Sequence, residues 1–120
     1  MTKTLTKQDI DSFTANDIRY RHPSVRWVLL TEGAKHVAQA GEAIWLLNAI
    51  AFAQGDLPAV AAEPFQNWCL KVAADRSAVL TCAHYMDRMV LSLPIPFTEF
   101  PLTEITLWLI DNVILLPSEY

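Results

Sequence analysis

Glycine is scarce in this chain. The three residues present, Gly33, Gly41 and Gly55, are isolated from one another. A phosphate-cradling loop needs clustered glycines whose amides converge on the anion, so neither a P-loop nor a dinucleotide fingerprint is present. Cysteine is equally sparse. Cys69 and Cys82 are too few for a disulfide framework, and neither sits in a C-x-x-C knuckle. Positive charge is also in short supply: nine Lys and Arg face thirteen Asp and Glu, for a net charge of -4. Binding to nucleic acid through the phosphate backbone needs a basic surface, so this balance argues against it. No uninterrupted apolar run approaches the roughly 18 residues a membrane-spanning helix requires. Its longest candidate, Ala43 to Ala53, is short and contains Asn48. Thr2 to Asp11 is polar rather than basic and then apolar, which reads against an export signal and for a cytoplasmic protein with reduced thiols.

What is abundant is carbon. The composition is 52% hydrophobic and only 18% charged, against a usual charged share near one quarter. That excess suits a tightly packed domain or one that hides a face in a dimer. The length of 120 residues fits one domain, 1–120. Charge is uneven along it: residues 61–120 hold three basic against seven acidic side chains. Arg19, Arg21 and Arg26 with His22 form the one local basic patch.

Helical signals come first. Thr6 caps a short helix with Asp9 answering in a capping box, Leu5 and Ile10 have the spacing of a hydrophobic staple, and the helix is expected to end near Asn16. Thr31 and Glu32 open a second helix, Ala34 to Ala40, interrupted near Gly41. A third, Glu42 to Gln54, reads "EAIWLLNAIAFAQ". It is apolar nearly all round, so it should be buried, with Gly55-Asp56 as its stop. Leu57 to Pro64 reads as a loop. Strand signals follow. "FQNWCLKV" and "SAVLTCAH" flank Ala74 to Ser77 with the spacing of a hairpin, and "RMVLSL" comes after a turn at Tyr85-Met86-Asp87. "EITLWLI" and "VILLP" flank Asp111-Asn112, a pair tolerant of positive φ. Val25 to Leu30 is either a short strand or the lead-in to a helix. This order predicts an α+β fold, with N-terminal helices packed on a C-terminal antiparallel sheet of about five strands.

"YRHP", "TEGAKHVAQAGEAIWLLNAIA", "FQNWCLKV", "SAVLTC", "FPLTEITLWL" and "VILLPSEY" together resemble, in order, a family of small bacterial proteins of unknown function, with cyanobacterial, plasmid and phage members. The resemblance covers nearly the whole chain. It implies a single α+β domain, transfers no catalytic residue, and is compatible with a role linked to mobile elements. Where that family tends to show Asp, this chain has Asn48, so any role for an acid there would be absent here.

Two places could carry chemistry. In "RYRHP", Pro23 disfavours the α region for His22 and keeps the segment extended. Tyr20 and His22 then share one face, with Arg19 and Arg21 on the other. Paired guanidinium forks suit a carboxylate, a phosphate or an acidic partner. The bland alternative pairs them with Asp9, Asp11 or Asp17 and packs Tyr20 and His22 inward. The second place is the hairpin thiols. A loop of two or four residues around Asp75-Arg76 would set Cys69 opposite Cys82, with His84 on the same face and His36 as a distant fourth ligand for zinc. A loop of three or five destroys that alignment, and two buried thiols acting as small hydrophobes is the simpler reading.

Trp45 belongs to the apolar helix. Trp68 is expected on an apolar hairpin face with Leu70, Val72 and Val79. Trp27, after the basic cluster, could stack on a base or a peptide, and Trp108 should pair with Leu115. The Ile105–Leu116 hairpin is apolar on both faces, so it is either central in the sheet or hidden in a subunit contact. Ser12, Ser24, Ser77, Ser92 and Ser118 lack nucleophile-elbow glycines, and His84 with Asp87 straddles a turn. No catalytic residue or cofactor is assigned.

The composition therefore points first to a non-enzymatic binding or accessory protein that touches an unknown protein partner through Arg19–Trp27, or itself through the Ile105–Leu116 hairpin. Second comes a small-molecule module holding an anion. Third is a minor enzyme using His22 or His84. A cavity beside the arginines would favour the second, and a flat apolar patch the first.

Overall fold

The N-terminal cap forms as the sequence implies. A computed structural model of the chain describes residues 5–84 and 88–120. In it Thr6 Oγ1 accepts from the Asp9 amide, the Asp9 carboxylate accepts from the Thr6 amide, and Leu5 is buried beneath them. Helix α1, Lys7–Asp11, stops well short of Asn16. Ser12 ends it by turning its hydroxyl onto the Asp9 carbonyl at 2.7 Å, a local bond that competes with further helix.

Two short strands follow, β1 (Tyr20–Arg21) and β2 (Leu29–Leu30). Helix α2, Glu32–Ala40, starts from Thr31, whose hydroxyl accepts from the Ala34 amide. Helix α3, Ile44–Asp56, is separated from it by Glu42, which takes the left-handed φ of 51°. Gly55 does not stop α3. The helix runs through it and ends at Leu57, which is extended because Pro58 follows. Pro58 then opens α4, Pro58–Ala61, where a loop was expected. Nor is α3 buried all round. Leu46, Leu47, Ile50 and Ala51 face the core, while Ile44 is 62% exposed and Phe52 lies outside too.

The remaining strands are β3 (Phe65–Val72), β4 (Ala78–His84), β5 (Met89–Ile95), β6 (Glu104–Ile110) and β7 (Val113–Leu115), closed by a 3-10 turn at Pro117–Glu119. The expected turn at residues 85–87 lies outside the described residues. The fold is thus α+β, but the sheet is neither five-stranded nor wholly antiparallel. Among the described residues it has seven strands in the order β1-β2-β7-β6-β3-β4-β5, and β2 runs parallel to β7. Two-residue strands carry no readable alternation, which is why β1 and β2 escape a periodicity argument. Val25–Leu30 resolves into a loop that ends in β2. The β6–β7 hairpin is interior to the sheet, its turn built on Asp111 (φ 50°) and Asn112 (φ 64°), and Trp108 does pair with Leu115.

One sheet face carries Trp68, Leu70, Leu80, Cys82, Leu107 and Ile114, all at most 1% exposed, and packs into the core with Val37, Leu46 and Ile50 from the helices. The opposite face shows Phe65, Asn67, Cys69, Thr106, Trp108 and Ile110, all half-buried, and Val79, which is exposed. No helix of the described chain is long and apolar enough to cross a membrane.

Candidate functional site

His22 organises the opening cluster. It is 1% exposed, and its imidazole closes the loop between β1 and β2 from inside. Nδ1 accepts from the Ser24 amide at 3.1 Å and the Val25 amide at 2.9 Å. The His22 amide donates to the Val28 carbonyl, and the Val28 amide returns to the Val25 carbonyl. On its other side Nε2 lies 2.9 Å from Asn48 Oδ1 on α3. Phe52, one turn further on, meets the ring edge-on at 5.9 Å. A histidine was expected to pack inward here with its polar ends satisfied, and it does.

The arginines do not act as a pair. Arg19 turns Nη1 back onto the Asn16 and Ile18 carbonyls at 2.8 Å each, so it is spent on its own loop. The Arg21 side chain makes no hydrogen bond or ion pair among the described residues, and neither does that of Arg26. The expected salt bridges to Asp9, Asp11 or Asp17 do not form there. Trp27, 56% exposed, lies over Gly55 on α3, where a methyl group would stand 3.6 Å from its ring.

Arg21 instead faces a pocket of about 350 Å³ between the His22 loop, the second half of α2 and the first turns of α3, a size within the range of small-molecule sites. Its carbon walls come from Leu30, Ala38, Ile44 and Leu47, with Pro23 at the rim. Its polar residues are Tyr20, Arg21, His22, Lys35, Gln39 and Asn48. Lys35 holds its ammonium 3.9 Å above the Tyr20 ring, a cation–π contact that fixes the lysine at the mouth. Among the described residues no carboxylate lines the pocket, so Arg21 and Lys35 share it without a described counter-ion. A larger groove, about 520 Å³, runs between α1 and Pro101–Thr106. It mixes Lys7 with Asp11 and Glu104 and gathers no set of like groups, so it lacks the chemistry of a site.

The thiols are not brought together. Trp68 pairs with Cys82 and Cys69 with Thr81, because Ala73 to Ser77 forms a five-residue loop beyond the Val72–Ala78 pair. The register is one residue away from the alignment a metal would need, which puts the two thiols on opposite faces of the sheet. The same shift puts Val79 on the open face beside Lys71, away from Trp68 and Leu70. Arg76 supplies the loop's positive φ of 72° and donates to the Thr98 and Phe100 carbonyls. Asp75 accepts from the Ser77 hydroxyl and amide, which hold its carboxyl below the ordinary value. Cys82 is buried, and that burial, with the nearby Glu63 charge, pushes its thiol up to about 12. His84 joins Glu63 instead: Nδ1 lies 2.5 Å from Oε2, a close contact without hydrogen-bond alignment, and Arg88 meets the other oxygen. Asp87 lies outside the described residues. His36 stacks on Phe13 at 5.3 Å with Nε2 buried and unpartnered. Among the described residues no group of three His, Cys, Asp or Glu could hold a metal ion.

Reading the sequence alone missed Lys35 and passed over Asn48 as a site residue. A usable signal existed. Lys35, Ala38 and Gln39 on α2, and Ile44, Leu47 and Asn48 on α3, each have the i, i+3, i+4 spacing of one helix face. Residues 4–120 match the model of DUF6876, a family of unknown function, and the chain belongs to that family. No curated protein and no solved structure matches it.

Proposed function

We propose that this member of DUF6876 is a binding module that holds a small anionic molecule between the His22 loop and helices α2 and α3. One observation carries the reading: Arg21 and Lys35 line a largely apolar pocket that contains no carboxylate among the described residues. Two uncompensated cations beside carbon walls favour an anion, and the same walls offer burial to an apolar body. The pocket lies where a cavity beside the arginines was to distinguish ligand binding from contact with a protein, although Arg19 takes no part in it.

The test is chemical. Protein purified without denaturation is unfolded, and the released small molecules are identified by mass spectrometry, beside a chain carrying Arg21→Ala and Lys35→Ala. An anionic metabolite enriched on the wild type and lost from the variant is expected. Finding none, together with no thermal stabilisation by a panel of small carboxylates and phosphates, would remove the proposal.

A second reading concerns the open sheet face. Phe65 and Trp108 lie 5.2 Å apart there and Tyr120 meets Trp108 edge-on at 5.7 Å, while Asn67 Oδ1, between Ala83 and Trp108, is buried without a partner. An aromatic cluster beside an unsatisfied acceptor favours a covering surface, and a homodimer formed through β6 of the Ile105–Leu116 hairpin would supply one.

A further inference from the structure

We infer that Asn48 selects the ligand: the pocket takes a carboxylate on an apolar body, and the Asn48 amide supplies an uncharged side-chain donor whose orientation His22 fixes. The inference rests on the anion-pocket reading above. His22 Nδ1 already accepts from two backbone amides, so it carries no hydrogen in this arrangement. The ring hydrogen therefore sits on Nε2 and is donated to Asn48 Oδ1 at 2.9 Å. That bond settles which way the amide points. With its oxygen claimed by His22, Asn48 offers the pocket its NH2, for which no acceptor exists among the described residues.

Arg21, Lys35 and Asn48 Nδ2 are then all donors around one space. A carboxylate can accept from two charged donors and a neutral one at once. Inorganic phosphate fits less well. Its oxygens point in four directions, and several would be pressed against Leu30, Ile44 and Leu47 with nothing to pair them. A carboxylate turns its carbon chain to those walls instead. His22 is a positioning residue here: it acts on the ligand through Asn48.

Hexanoate is the probe, followed by NMR on nitrogen-labelled protein. In the wild type it is expected to shift the Asn48 side-chain amide. In Asn48→Asp an oxygen remains for His22, but the donor becomes a charge of the ligand's own sign, so hexanoate is expected to bind at least about tenfold more weakly at an almost unchanged thermal midpoint. The wild-type amide shift needs no variant and stands whether or not the substituted chain folds. Binding abolished by Arg21→Ala with Lys35→Ala but unchanged by Asn48→Asp would overturn the role of Asn48 and leave the anion pocket standing. Binding indifferent to loss of both cations, or absent from the wild type, would overturn both. Phosphate displacing hexanoate at equal concentration would overturn the carboxylate class.

Discussion

The Glu119 carboxylate accepts from the Thr31 hydroxyl at 2.6 Å, across 88 positions of sequence. The same carboxylate accepts from the Gly33 amide, a free donor in the first turn of α2, and from the Leu116 amide of its own turn, each at 3.0 Å. The last residues of the chain thus complete the N-terminus of a helix in its first third. A negative charge is favoured at that end of α2. Gly33 leaves room for it, since a methyl group there would stand 2.5 Å from Oε1.

Removing this latch should be costly. Glu119→Ala leaves three donors without their acceptor, and at about 1 kcal/mol or more for each the loss is roughly 3 kcal/mol. Gly33→Ala should approach the same loss by displacing the carboxylate. The two changes together should fall well short of their sum, because each removes the same contacts. Urea unfolding of the four chains checks this, and additive losses would mean that the contacts are independent.

His22 makes a comparable demand. His22→Ala strips the acceptor from the Ser24 and Val25 amides and the donor from Asn48, for an expected loss of about 2–4 kcal/mol. Asn48→Ala removes only one bond and should lose about 1 kcal/mol. A double-mutant cycle between them should give a coupling near 1 kcal/mol in urea unfolding. Zero coupling would contradict the 2.9 Å contact.

Cys82 yields a pH prediction with a definite sign. Its thiol titrates at about 12 in the folded chain against 9.0 ordinarily, first because it is buried and second because Glu63 is near. The folded state keeps a proton that the unfolded state releases. The stabilisation is therefore complete below pH 9.0 and declines as pH rises through the window up to about 12. Wild-type stability should fall across that window faster than that of Cys82→Ala. At pH 8 iodoacetamide should label Cys69, half-buried on the open face, and spare Cys82 until the chain unfolds. Equal labelling of both thiols in the native protein would refute this.

How much of this could be read from residues alone depended on distance along the chain. The Thr6–Asp9 box, the Thr31 cap and the Asp111-Asn112 turn are complete within four residues, and each forms as expected. The hairpin register hinged on whether the loop before Ala78 had four residues or five, and nothing in Ala74-Asp75-Arg76 chooses between them. Arg76 takes positive φ and reaches the Thr98 and Phe100 carbonyls, so a remote segment helps to fix that loop. The pairing of Leu29–Leu30 with Val113–Ile114 and the Glu119 latch are likewise contacts between opposite ends of the chain, invisible to periodicity. At the site, the arginine cluster drew attention to the right loop but to the wrong partners. Arg19 folded back on itself, and the second cation came from Lys35 on α2.

The open face of the sheet provides the last test. Along β3 and β6 it presents Phe65, Asn67, Thr106, Trp108 and Ile110 with no charge until Lys71 and Glu104, which stand opposite each other at one end. Two copies could stack such faces without burying an ion, which is the arrangement that costs least in desolvation. Under this reading wild-type protein sediments as two chains, and Trp108→Lys sediments as one, since the new ammonium would be desolvated at the centre of the contact. The thermal midpoint of the variant should become independent of protein concentration while that of the wild type rises with it. Wild-type chains that sediment singly at high concentration would leave the Phe65–Trp108 face without a second copy to cover it. Ligand binding by the Arg21–Lys35 pocket, which shares no lining residue with that face, should be the same in both chains.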